Sequence, residues 1–133
     1  MKPKTIFEFV LGGWTLDWCS LRIDKYADEY ICTMANRGKP FEEIKKGVPK
    51  EQVERLTNFI KKSGIRNWKR YYDASALDGE NWSIMIDDAE GKFESSGFDK
   101  RPQGFNSLLE CLHDIFGLES DPTEVSYESL FEG

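Results

Sequence analysis

The chain is 133 residues long, carries a net charge of −6 and is 14% aromatic. That length suits one domain able to bury about two-thirds of its unfolded surface, and the aromatic content argues against disorder throughout. No apolar run approaches the roughly 20 residues of a membrane-spanning helix, and one histidine with three widely spaced cysteines does not make the paired ligand spacing of a structural zinc site.

Met1 to Lys4 is basic, and Ile6 to Leu11 is apolar but short and interrupted by Glu8. It reads as a first strand, with Phe7, Phe9 and Leu11 on one face, rather than as a signal-peptide core. Gly12-Gly13 marks a turn or bulge. Trp14 to Ile23 reads as a second strand, with Trp14, Leu16 and Trp18 on one face and Cys19, Leu21 and Ile23 on the other. Apolar residues on both faces suit a central or strongly twisted strand. Asp24 to Asp28 forms a turn, Glu29 to Met34 a third strand, and Asn36 to Pro40 another turn. Phe41 to Ile44 is read as a short fourth strand in preference to the start of a helix.

Pro49 to Lys62 reads as a helix. Pro49 suits its first position, Glu51 and Glu54 lie near its N-terminus, and Lys61 and Lys62 lie near its C-terminus, matching the macrodipole. Val53, Leu56 and Ile60 form the apolar stripe, and Gly64 ends it. An aromatic, basic segment from Ile65 to Tyr72 leads to a turn at Asp78-Gly79. Asn81 to Asp87 alternates, with Trp82, Ile84 and Ile86 on one face. Asp88 to Gly91 supplies a turn, and Lys92 to Phe98 returns as a strand in which Gly97 suggests a bulge or an end. Beyond Pro102, the apolar residues Phe105, Leu108, Leu109, Leu112, Ile115 and Phe116 have helical spacing, and Gly117 stops the helix.

Trp68, Asp78-Gly79, Trp82-Ser83-Ile84, Ser96-Gly97, Pro102, Phe105 and Leu108-Leu109 together resemble a pattern found in small uncharacterised bacterial proteins. There a helix precedes a lone Trp, followed by an Asp-Gly turn, a Trp-bearing strand, a Ser-Gly strand end and a Pro-led helix. The likeness covers about the last two-thirds of the chain. It implies an α+β fold and carries no activity with it.

The expected architecture is α+β: an antiparallel sheet of about five to six strands with two main amphipathic helices. Residues 1–118 form one domain and residues 119–133 an acidic C-terminal tail. An odd number of scattered cysteines (Cys19, Cys32, Cys111) suits reduced, mostly buried thiols in a cytoplasmic protein. Cys111 and His113 are two residues apart on one helix, so their side chains diverge by about 200° and form no nucleophile–base pair. Asp87, Asp88 and Glu90 lack the alternating ligands of a calcium loop and read as a solvated hairpin tip. Asp78 reads as a turn residue. No phosphate-binding or nucleophile-elbow motif occurs. The sequence nominates no catalytic residue, no cofactor and no metal.

Charge is segregated along the chain. Residues 1–36 have a net charge of −1, residues 37–70 of +7, and residues 71–133 of −12. Within the basic part, Arg55, Lys61, Lys62, Arg66, Lys69 and Arg70 fall in a span without an acid. These six are the candidate binding residues. They point to a non-enzymatic binding or regulatory module whose partner is an acidic protein surface. A small enzyme with an acid-based site, or a nucleic-acid-binding module using residues 55–70, are the alternatives. A membrane partner is not expected, and the sequence does not fix the oligomeric state.

Overall fold

A computed structural model of the chain describes residues 2–13, 18–73, 80–98 and 100–120. Seven strands and two helices run in the order β1 (Lys4–Gly12), β2 (Cys19–Tyr26), β3 (Glu29–Asn36), β4 (Lys39–Val48), α1 (Lys50–Ser63), β5 (Tyr71–Asp73), β6 (Asn81–Asp88), β7 (Gly91–Phe98) and α2 (Phe105–Phe116), with a 3-10 turn (Ile65–Asn67) after α1. The strands form one sheet in the order β4-β3-β2-β1-β6-β7-β5. All neighbours are antiparallel except β5, which runs parallel to β7.

Register builds the core. Phe7 lies between Ile23 and Ile86, Phe9 between Leu21 and Ile84, and Leu11 between Cys19 and Trp82. Three strands thus present continuous apolar rows on one face. α1 lays Val53, Leu56 and Ile60 into that core, and α2 adds Phe105, Leu108, Leu109, Leu112, Ile115 and Phe116. Full burial of each large apolar side chain stabilises by about 1.5–3 kcal/mol. The opposite face alternates into Glu8, Val10, Arg22, Ser83 and Met85, none of them fully buried. The buried side chains of α1 and α2 belong instead to the core cluster on the first face.

Several expectations change. The sheet has seven strands and is mixed, not purely antiparallel with five to six. The extra strand is β5, hidden in the basic aromatic segment because three residues are too few to show a period. β4 spans ten residues instead of four. Its charges obscured it, since an edge strand tolerates charge on both faces. β2 is central, between β1 and β3, and begins at Cys19. Trp14 and Leu16, like the Asp78-Gly79 turn, lie outside the described residues. Gly97 is not a bulge; it is the last residue but one of β7, at the strand's end. β6 and β7 stay in register from Asn81–Phe98 to Asp88–Gly91, and Gly97 sits opposite Trp82, where a Cβ would overlap the indole.

α2 has the predicted bounds and ends on Gly117 in the left-handed region, whose N–H bonds back to the His113 carbonyl at 2.8 Å. The following residues fasten to the β3–β4 turn. The Arg37 N–H donates to the Glu119 carbonyl (2.9 Å), the Glu119 N–H to Asn36 Oδ1 (3.0 Å), and Arg37 Nη1 to the Ser120 carbonyl (3.0 Å). Glu119 and Ser120 are therefore bonded into the fold. No helix among the described residues is long and apolar enough to cross a membrane.

Trp82, Ile84, Leu108 and Leu112 share the core cluster. Because Trp82 is 2% exposed, Trp82→Ala should cost about 3–5 kcal/mol of stability. Denaturant unfolding measures this, and a loss below about 1 kcal/mol would mean that the ring does not carry the packing assigned to it.

Candidate functional site

The basic aromatic segment begins where α1 stops. Gly64 caps the helix in the left-handed region, and Ile65 plugs the core in the 3-10 turn. Trp68 then packs edge-on against Trp82 (5.8 Å between centroids) and stacks on Phe105 (6.2 Å). Its Nε1 donates to the Gln103 carbonyl at 3.2 Å. Trp68 is a structural anchor, partly buried against the core.

The next residues are held by their backbone. Ser95 Oγ donates to the Lys69 carbonyl (2.5 Å), the Ser96 N–H to the Arg70 carbonyl (3.0 Å), and the Lys69 N–H to the Tyr72 hydroxyl (2.9 Å). Tyr72 turns inward against Trp82 at 5.9 Å. Tyr71 pairs with Ser96 and shares its face, the one without helices. Ser96 is too short to cover the phenol, and Tyr71 is left 56% exposed. Beside it a groove of about 530 Å³ runs over β1, β6 and β7. Arg70, Lys92, Glu94 and Glu8 rim it, and Ser83 and Met85 line it. Lys92 and Glu94 are ion-paired at 3.3 Å.

The six candidate cations do not form one patch. Arg55 lies in the groove between α1 and α2 with Phe59, Cys111 and Asp114. Lys61 and Lys62 are exposed at the C-terminal end of α1, where cations complement the helix dipole. Arg66 is directed away from the groove: its guanidinium binds Asp88 and the Gly91 carbonyl and reaches Glu90 at 3.5 Å. Lys69 Nζ lies 6.0 Å from the Tyr72 ring. Of the six, only Arg70 lines the groove on the helix-free face, opposite the side that holds Arg55. Sequence reasoning missed Met85 and Lys92 as groove residues. The strand alternation already placed Met85 away from Trp82 and Ile84, and that was the available signal. The pairing of Arg66 with the acidic hairpin tip also escaped notice, because their separation of 22 residues gives no local cue.

The thiols are poorly disposed to react. Burial pushes Cys32 up to about 11, with Lys46 opposing in part. Burial likewise raises Cys111 to about 11, opposed by Arg55 and reinforced by Asp114. Cys111 and His113 open onto different grooves, and the His113 ring Nδ1 faces the Leu118 carbonyl at 3.2 Å. Among the described residues no group of three His, Cys, Asp or Glu side chains could hold a metal ion.

The chain matches no protein-family model, and a search of curated proteins gives no match. The Cys32 thiol supplies a pH test. A proton held more tightly in the folded than in the unfolded chain stabilises fully below the unfolded value of 9.0, and that contribution disappears as pH rises to about 11. The stability difference between wild type and Cys32→Ala, followed by denaturant unfolding, should be flat below pH 9.0 and should shrink between 9.0 and about 11. A difference that holds constant across that window would contradict the burial assigned to Cys32.

Proposed function

We propose that the chain is a non-enzymatic binding module of the cytoplasm that engages another protein at the β5 edge of its sheet. The observation that carries this reading is the exposed pair Arg70 and Tyr71, of which Arg70 lines a groove together with Met85 and Tyr71 pairs with the groove residue Ser96. Tyr, Arg and Met are enriched at protein interfaces, and buried Tyr and Arg anchors dominate binding energy. The bonds from the Ser95 hydroxyl to the Lys69 carbonyl and from the Ser96 N–H to the Arg70 carbonyl hold this segment in place, which lowers the ordering cost of binding. Arg70 and Lys92 suit an acidic side chain on the partner, and Glu8 and Glu94 set its register against a second, basic one.

An enzymatic reading draws no support from this surface. The groove is open, and its carboxylates Glu8 and Glu94 stand beside the cations Arg70 and Lys92, with Glu94 ion-paired to Lys92. Nucleic acid draws less support than protein. Tyr71 is the one exposed ring of the Arg66–Tyr72 segment, since Trp68 and Tyr72 are packed inward, and continuous base stacking needs several exposed rings.

Site-specific photo-crosslinking tests this reading. A photoreactive phenylalanine analogue at position 71 should give one discrete protein adduct in cells of the source organism. Excess wild-type chain should compete the adduct away, and Arg70→Glu should not. The same probe at exposed Asn58 on α1 should give none. A nuclease-sensitive adduct would favour nucleic acid. An adduct indifferent to Arg70→Glu, or none at all, would overturn the assignment of this surface.

A further inference from the structure

The two ends of the sheet differ. β5 is three residues long and offers little edge. β4 is ten residues long, closes the other end, and is exposed from Phe41 to Gly47. Long open edges favour pairing with another strand, and proteins commonly block this with charged residues, proline or bulges. β4 carries Pro40 and an irregularity at its start, but its charges are of both signs. Its centre reads Glu42-Glu43-Ile44-Lys45-Lys46, two acids and two bases about one isoleucine.

That pattern is its own complement. Two copies of β4 running antiparallel about a two-fold axis at Ile44 place Glu43 opposite Lys45, Glu42 opposite Lys46 and Phe41 opposite Gly47, each twice. Ile44, 43% exposed, meets Ile44 of the second copy. Opposite charges directly across an antiparallel pair stabilise it, and like charges destabilise it. The neighbouring registers fail on this ground. An axis at Glu43 opposes two carboxylates, and one at Lys45 opposes two ammonium groups.

The departure of β4 from its own sheet fits the same arrangement. From Val48 to Ile44 each residue has a partner on β3, but the next pair is Lys39 with Asn36. Residues 40–43 therefore arch away with only Ala35 spanning the gap, and Phe41 is 79% exposed against the edge of Trp18. Under the two-fold, the arch of each copy faces the regular half, Ile44 to Val48, of the other. Pro40, which has no N–H to give, falls opposite Val48 at the outer limit of the pairing.

We propose that β4 is a homotypic interface, joining two copies of the chain through an antiparallel β4–β4 pair centred on Ile44. The partner is a second copy, and the inference is independent of the partner assigned to the β5 edge, which lies at the far end of the sheet.

Charge exchange between copies tests it on the full chain. Glu43 and Lys45 are both exposed, so substitution there leaves the core untouched. Lys46 is avoided because its Nζ donates to the Phe116 carbonyl at 3.3 Å. Sedimentation velocity over a concentration series should show a wild-type dimer. Glu43→Lys and Lys45→Glu should each weaken dimerisation by about tenfold or more, since each turns two attractive pairs repulsive. Mixing the two variants should restore association as a heterodimer, and the double variant Glu43→Lys/Lys45→Glu should regain the homodimer. A wild-type chain that stays monomeric throughout the series overturns the proposal. So do single variants that dimerise like wild type, or variants whose mixture fails to associate.

Discussion

The packing of the Trp82 indole over Gly97 is the contact on which the rest of this half of the structure depends. β6 and β7 pair so that a residue without a side chain, Gly97, faces the Trp82 indole, and any Cβ at Gly97 would enter that ring. With the indole lying flat across β7, its Nε1 reaches the Lys100 carbonyl at 2.8 Å. That bond fixes the connection leading into α2. Phe105, the first residue of α2, then meets Trp82 at 5.1 Å and Phe9 at 5.8 Å. Trp68 and Tyr72 close the remaining sides. One indole therefore joins two strands, a helix and the segment after α1. Aromatic pairs at these separations add about 0.5–1.5 kcal/mol each beyond area burial.

The candidate site inherits its rigidity from that cluster. Trp68 and Tyr72 bracket Lys69, Arg70 and Tyr71. Because both rings are packed inward and the intervening carbonyls accept bonds from β7, the segment is fixed at both ends. β5 is too short to hold itself in the sheet by ladder bonds. The arginine of the same segment, Arg66, clamps the β6–β7 hairpin through Asp88 and Gly91. The basic run thus divides by role: Arg66 is spent within the fold, and Arg70 is presented outward.

What could be read in the sequence follows the physics of each element. α2 was legible to the residue because six apolar positions at helical spacing meet a glycine stop. β1 and β6 were legible because one face is buried and the other is not. β5 was not, and β4 only over residues 41–44, for opposite reasons: β4 is an edge whose alternation is overwritten by charge, and β5 is shorter than any period. At Gly97 the strand end was foreseen and the indole's approach was not, because a glycine in a strand marks a backbone irregularity, an end or a close approach by another group, and sequence does not tell them apart. The site was legible only in part. Arg70 lay within the nominated segment, but the segment's charges scatter over both sides of the sheet. Contiguity in sequence gives contiguity in space only along one face of one element, and this run crosses a helix end and a 3-10 turn and stops just before a strand.

The central claim is that the Trp82–Gly97 contact couples β5 and the start of α2 to the β6–β7 hairpin. Native-state hydrogen exchange of Gly97→Ala measures it directly. Protection should fall equally at Ser96, which bonds the Arg70 carbonyl, and at Leu108, which bonds the Gly104 carbonyl, with no change in the β2–β3 ladder. A loss confined to β7, with Leu108 as protected as in wild type, would contradict it.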